Sequence, residues 1–206
     1  MPLNQSNLNQ ILIDLKPFPK AQLMIVTKNQ TSNDIQKLIS QKFKIFGENR
    51  VQEAYKKFSE LRSGTSLEIH LIGPLQTNKV KLALNTFDVI QSVDRPKLVD
   101  EIMKFHVSKR FYIQINIGQE PQKNGVDPDK FEDLYAYCLE KKMKIEGIMC
   151  IPPNERNPQI YFKKMNDLKD AINPNLKLSM GMSSDYIEAL NMNSNYIRVG
   201  SLIFSS

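Results

Sequence analysis

The chain has 206 residues, 41% apolar and 24% charged, the make-up of an ordinary globular protein for which one domain is the default. Its net charge of +6 could draw nucleic acid or anionic membrane, but basic pairs such as Lys56-Lys57, Lys141-Lys142 and Lys163-Lys164 fall in helix-like segments that also carry Glu or Asp, so solvated helix faces are expected instead. A membrane span needs about 18 or more consecutive apolar residues, and the longest run, Leu134 to Leu139, has six.

Met1 to Lys20 shows no basic start, apolar stretch and small-residue cleavage site in that order, so a cytoplasmic location is expected. Leu8, Ile11, Leu12 and Leu15 are spaced like one face of a helix. Short runs rich in Ile, Val, Phe and Leu then alternate with segments of helical period. The expected strands are Leu23 to Val26, Phe43 to Phe46, Glu68 to Ile72, Phe87 to Gln91, Phe111 to Asn116, Lys144 to Met149, Leu176 to Met180 and Tyr196 to Val199. The expected helices include Asp34 to Gln41, Val51 to Leu61, Lys97 to Phe105, Pro128 to Lys141, Gln159 to Ala171 and Ser184 to Leu190. Pro152-Pro153, Asn154 and Pro158 read as one loop after the sixth strand.

Strands that each lead into a helix predict the α/β class and a single, compact (β/α)8 barrel of TIM type over residues 1–206, with no second domain. A doubly wound open sheet is the alternative. The chain leaves only Ser201 to Ser206 after the last strand, so the N-terminal helix is expected to replace the last helix of the ring. Cys138 and Cys150 lack Cys-x-x-Cys spacing and His70 and His106 lie far apart, so no metal site is expected.

In such a barrel the chemistry sits on the loops leaving the strands' C-terminal ends. Strand one exits at Thr27-Lys28. A lysine there usually ends a strand in solvent; turned into the barrel mouth, a desolvated amine could instead condense with an aldehyde. Strand two exits at Gly47-Glu48-Asn49-Arg50, where Asn49 with Gln52 has the spacing of a capping box. Strand three carries His70, which alone reads as a hydrogen-bonded interior residue more readily than as an acid-base catalyst. Strand seven exits through Ser179-Met180-Gly181-Met182-Ser183, whose glycine and hydroxyls lead into a helix and suit an anion. Strand eight exits through Arg198-Val199-Gly200-Ser201, and loops after strands seven and eight are the frequent phosphate site of barrel enzymes. Closure sets strand eight beside strand one, which suits pyridoxal 5'-phosphate: an aldehyde for Lys28, a phosphate for Ser183, Gly200 and Ser201, and a ring nitrogen for a positioned Arg.

Thr-Lys after the first strand, Phe-Gly-Glu-Asn-x-Val-Gln-Glu at 46–53, His-x-Ile-Gly-x-Leu-Gln-x-Asn-Lys at 70–79, Ser-Met-Gly-Met-Ser-x-Asp at 179–185 and Arg-x-Gly-Ser at 198–201 together resemble the pyridoxal phosphate homeostasis protein family. The resemblance runs in order from about Leu23 to Phe204. It implies a barrel like the N-terminal domain of alanine racemase, with the cofactor bound as a Schiff base to Lys28. It also implies a cofactor site of Lys28, Asn49, His70, Ser179, Gly181, Met182, Ser183, Arg198, Gly200 and Ser201, with Arg198 facing the ring nitrogen and Asn49 near the ring. Three departures stand out: Thr27 where Ser is usual, Ser201 where Thr is common, and an end, Phe204-Ser205-Ser206, without the usual glycine and basic tail.

The expected function is therefore a monomeric carrier or buffer that takes part in vitamin B6 homeostasis, releases the cofactor to client enzymes and has no catalytic turnover of its own. A pyridoxal-phosphate-dependent amino-acid racemase is the alternative, with Lys28 as one base and His70 or a tyrosine from another subunit as the other. A basic nucleic-acid-binding module is a third, resting on net charge alone.

Overall fold

The computed structural model describes residues 3–62, 66–106, 108–154 and 157–204. Eight parallel strands pair in chain order: β1 (Gln22–Val26), β2 (Ile45–Glu48), β3 (Glu68–Leu71), β4 (Val89–Val93), β5 (Arg110–Ile115), β6 (Ile145–Cys150), β7 (Lys177–Ser179) and β8 (Tyr196–Val199). β8 returns to β1 with Gln22 opposite Tyr196 through Ile25 opposite Val199. That pairing closes the barrel and rules out the open sheet. Helix α1 (Gln5–Leu15) precedes β1, and α2 (Ser32–Ser40), α3 (Val51–Leu61), α4 (Val80–Thr86), α5 (Pro96–Met103), α6 (Phe131–Glu140), α7 (Gln159–Ile172) and α8 (Tyr186–Asn191) fill the successive crossovers. This is the TIM-type (β/α)8 architecture that the alternation predicts.

The N-terminal helix takes up the place of a last ring helix. The Asn4 N–H donates to the Ile203 carbonyl at 2.7 Å, the Asn7 amide to the Leu202 carbonyl at 2.8 Å, and Tyr186 Oη to Asp14 Oδ2 at 2.7 Å. Leu8 and Ile11 are buried, whereas Leu12 is 38% exposed and Leu15 only half-buried, so the apolar face is narrower than expected.

Four strands start later than expected, β6 and β7 by one residue and β2 and β4 by two. Phe43 belongs to the turn after Lys42, whose φ of 69° is left-handed. Phe87 caps α4 and is fully buried there. Both aromatic side chains serve helix packing before the strand begins. Ser205 and Ser206, and part of the loop expected at 152–158, lie outside the described residues.

Thr31 and Asp34 start α2 with a reciprocal capping box: the Thr31 hydroxyl accepts the Asp34 N–H at 3.2 Å, and the Asp34 carboxylate accepts the Thr31 N–H. Replacing that hydroxyl removes one partner of an otherwise orphaned N–H. Thr31→Ala should therefore cost about 1 kcal/mol in a urea unfolding titration; an unchanged midpoint would show that the cap adds nothing.

The strands divide two cores between them. Outward side chains such as Ile25, Phe46, Ile69 and Ile90 pack under the helices. Inward ones, including Met24, Val26, Ile72, Val89, Tyr112, Met149 and Tyr196, fill the barrel. The inward set is interrupted by buried polar residues, among them His70, Gln91, Ser179 and Arg198. Alternation along a strand fixes this parity, so the polar residues stack inside the barrel.

Candidate functional site

Lys28 follows β1 at the inward parity of Met24 and Val26 and stands at the barrel mouth. With Asn49, Met182, Ser183, Arg198, Gly200 and Ser201 it lines a cavity of about 410 Å³, a size that suits a small-molecule ligand. Val26, Ile72 and Ile151 supply its apolar walls. Seating the lysine beside the loops after β7 and β8 is a direct result of barrel closure.

Lys28 itself is exposed at the cavity rim, in keeping with a lysine that ends its strand in solvent, and the protein alone does not bury it. Its mounting is firm. Thr27 is fully buried, its hydroxyl donates to Glu48 Oε1 at 2.7 Å, and Lys57 Nζ donates to the Thr27 carbonyl at 2.8 Å and to Glu48 Oε1 at 2.9 Å. Lys57, expected on a solvated face, is instead 13% exposed and turned inward from α3. Glu48 is fully buried; burial pushes its carboxyl pKa up, and the Lys57 ammonium and Thr27 hydroxyl offset that only in part.

Asn49 is not a cap. Helix α3 takes Arg50 as its N-cap, with no side-chain hydrogen bond. The Asn49 side chain lines the cavity instead, and its Oδ1 is buried without a hydrogen-bond partner. A buried carbonyl oxygen left in that state is costly unless a ligand donates to it.

Arg198 is buried, and its guanidinium is held at two points: Nη1 donates to Ser179 Oγ at 3.0 Å and Nη2 to the Cys150 carbonyl at 2.7 Å. Burial presses its pKa below the usual guanidinium value, yet arginine keeps its proton in proteins. The result is a fixed cation in the cavity wall.

The loops after β7 and β8 meet through hydroxyls, Ser201 Oγ donating to Ser183 Oγ at 3.0 Å and the Leu202 N–H to Ser183 Oγ at 3.3 Å. The helix expected from Ser184 starts later, at Tyr186, and is short. The Met182 N–H donates to the Asp185 carboxylate rather than pointing at an open site. The hydroxyl pair and Gly200, rather than a helix start, are thus what these two loops present at the cavity. Gly200 lies close against β1, where a Cβ would meet the Val26 carbonyl oxygen at 2.9 Å.

Three of the residues expected at the cofactor stand behind the cavity. His70 is fully buried inside the barrel and bonded to Gln91 and Glu68. Ser179 supports Arg198 from below. Gly181 has φ +93° and packs against Ala189, where a Cβ would sit 2.5 Å from that residue's own. Sequence reading missed Gln91, Glu48, Lys57 and the Cys150 carbonyl. Gln91 did leave a signal, a long polar residue in the apolar strand Val89–Val93 at the inward parity of Val89.

Among the described residues no helix is long and apolar enough to cross a membrane, and no three His, Cys, Asp or Glu side chains gather as a metal site. Cys138 and Cys150 are free and buried, and burial pushes both thiols up to about 12.

The family profile described as "Alanine racemase, N-terminal domain" matches residues 5–206. A pyridoxal phosphate homeostasis protein of Aquifex aeolicus is 37% identical over 197 residues, which cover 89% of this chain and 86% of that protein. The protein of the same name from Buchnera aphidicola is 33% identical, over 92% and 88%. The structure of PipY from Synechococcus elongatus with PLP bound superposes with a TM-score of 0.84 at 32% identity, over 97% of this chain and 99% of that one. Alanine racemase of Clostridium difficile shares the fold at a TM-score of 0.75 and 14% identity; the chain spans 58% of it. Closed barrel, exit-loop motifs and near-full-length similarity agree, and the chain belongs to the pyridoxal phosphate homeostasis protein family, within the group that shares the alanine racemase N-terminal domain.

Proposed function

We propose that this protein binds pyridoxal 5'-phosphate as a Schiff base on Lys28 and acts as a cytoplasmic carrier in vitamin B6 homeostasis, without catalytic turnover of its own. The observation that carries the reading is the convergence of Lys28, Asn49, Ser183, Arg198 and Ser201 on one cavity. Those residues fit the group: an amine for its aldehyde, a hydroxyl pair for its phosphate, a buried cation for its ring nitrogen. Asn49 lines the cavity beside them and places an amide side chain on the ring side of the group. When bound, the cofactor supplies reversible imine chemistry, its aldehyde condensing with the lysine amine to form C=N and release water.

The protein's own residues restrain any deeper chemistry. Arg198, a permanent cation, disfavours a proton on the ring nitrogen and so keeps the ring a weak electron sink. His70, the second base in the racemase reading, does not reach the cavity. The exposed rim position of Lys28 leaves the bond open to water and to other amines, which suits a carrier that exchanges its cargo with client enzymes. Two free buried cysteines suit a reducing compartment.

Purified protein mixed with the cofactor should turn yellow, lose the band on borohydride reduction, and yield an adduct that peptide mass spectrometry places on Lys28. Lys28→Ala should abolish both. An adduct elsewhere would refute the site, and loss of optical activity from L-amino acids well above the Lys28→Ala control would refute the carrier reading.

A further inference from the structure

The polar residues inside the barrel form one continuous line from the cavity wall to the opposite mouth. Arg198 Nη1 donates to Ser179 Oγ at 3.0 Å, Ser179 Oγ to Gln91 Oε1 at 2.7 Å, Gln91 Nε2 lies 2.9 Å from His70 Nδ1, and His70 Nε2 lies 2.6 Å from Glu68 Oε1. Glu68 Oε2 then accepts from Arg110 at 2.7 Å. The line draws on β8, β7, β4, β3 and β5.

Its polarity is forced from both ends. Arginine has only donors and an ionised carboxylate only acceptors. Ser179 must accept from Arg198, so its one proton goes to Gln91 Oε1. That leaves the Gln91 amide donating to His70 Nδ1, and a neutral His70 with its proton on Nε2, aimed at Glu68. Starting from Glu68 gives the same assignment in reverse. Burial lowers the His70 pKa and so favours that neutral ring. Protonating it would place two donors, the His70 Nδ1 and the Gln91 amide, face to face unless the amide flips, and the flip would take the acceptor away from Ser179.

We propose that Gln91, His70 and Glu68 are positioning residues for the ring end of the bound cofactor, acting through Ser179 to hold the Arg198 guanidinium at one orientation in the cavity wall. The inference rests on the proposed cofactor reading. It assigns a task to side chains that do not line the cavity, and explains why a glutamine, a histidine and a serine stand in contact among the Met, Val, Ile and Tyr side chains of the barrel interior. Polar lines of this kind are worth retaining only when every member is satisfied, and here each link has a partner.

Gln91→Leu, with Gln91→Met as the closer-shaped second variant, cuts the line without touching the cavity. With the serine hydroxyl no longer held, the bound cofactor's absorption maximum should shift and its dissociation rate rise about tenfold, the loss of one charge-assisted alignment. Ser179→Thr, which keeps the hydroxyl, should stay near the wild type, while Ser179→Ala should match Gln91→Leu. Combining Gln91→Leu with Ser179→Ala should add nothing further, because both cut one line. Val89→Ala, which disturbs the same barrel core, should lower the melting temperature without moving the absorption band. Wild-type spectra and release rates in both Gln91 variants, or fully additive effects with Ser179→Ala, overturn the positioning role. A wild-type protein that gives no borohydride-fixed adduct on Lys28 overturns the underlying cofactor reading and this inference with it; that result is distinct, because it appears before any substitution is made.

Discussion

Lys57→Met should lower the stability of this protein by about 3–5 kcal/mol, the usual cost of breaking a buried ion pair by removing one partner. Lys57 is the cation beside a fully buried carboxylate, and in its absence Glu48 keeps only the Thr27 hydroxyl. The deficit should depend on pH in a definite direction. Glu48 already has its folded pKa raised by burial, and losing the ammonium raises it further. A group with a raised folded pKa favours the folded state below its unfolded value, near the ordinary carboxylate range, and loses that contribution as pH rises through the folded value. The variant should therefore fall furthest behind the wild type at alkaline pH and recover as the solution is acidified. Adding Glu48→Gln to Lys57→Met should return much of the loss, since no buried charge then remains. Urea unfolding at several pH values measures both effects; a pH-independent deficit would mean that Glu48 is not ionised in the native protein. Because Lys57 also holds the carbonyl of Thr27, cofactor retention by Lys28 should weaken in parallel.

Gly73→Ala should be nearly as damaging. The β3 exit passes so close to the β2 exit that a Cβ on Gly73 would lie 2.1 Å from the Asn49 carbonyl oxygen and 2.8 Å from its carbonyl carbon and Cα. These are backbone atoms, so no rotamer change relieves the clash, and one loop must move. Overpacking of this kind costs about 1–3 kcal/mol or more. The displaced residue is Asn49, which lines the cavity. Cofactor affinity should fall along with the unfolding midpoint, whereas a purely structural glycine would lower only the midpoint. Wild-type values of both would show that the two exit loops do not depend on their close approach.

Much of this molecule is written in local pattern. Alternating apolar runs and helical periods are properties of neighbouring residues, and they yield the barrel, its strand order and the position of Lys28 at a strand exit. Edges blur where an aromatic side chain serves the preceding helix, as Phe87 does, because apolarity alone does not say which element claims it. The Asn49 capping box failed for a similar reason: the spacing is right, but helix α3 begins one residue later and frees the side chain for the cavity. The resemblance supplied the lining residues, yet not what stands behind them. Partners such as Lys57 and Glu48, or Gln91 and Ser179, lie 9 and 88 positions apart. The inward parity of polar residues in apolar strands hints at the second pair, and helical spacing sets Lys57, three residues after buried Ala54, at the edge of the buried face of α3, but neither pattern names the partner.

The seam between β7 and β8 has Ser179 opposite Tyr196 as its matched pair and is carried further by backbone bonds from Asn195 to Leu178, Met180 to Tyr196 and Arg198 to Gly181. The hydroxyl contacts from Ser183 to Ser201 and Leu202 bridge the same gap above it. On the proposed reading, an anionic group grasped from both sides there would work as a clasp, adding one more tie across the same edge. Loading and mechanical integrity are thereby linked: any ligand that binds only the folded chain stabilises it in proportion to the logarithm of its free concentration. The protein without its ligand should then be cut more readily by proteases than the loaded one, which would make that susceptibility a gauge of how much vitamin the cell holds in reserve.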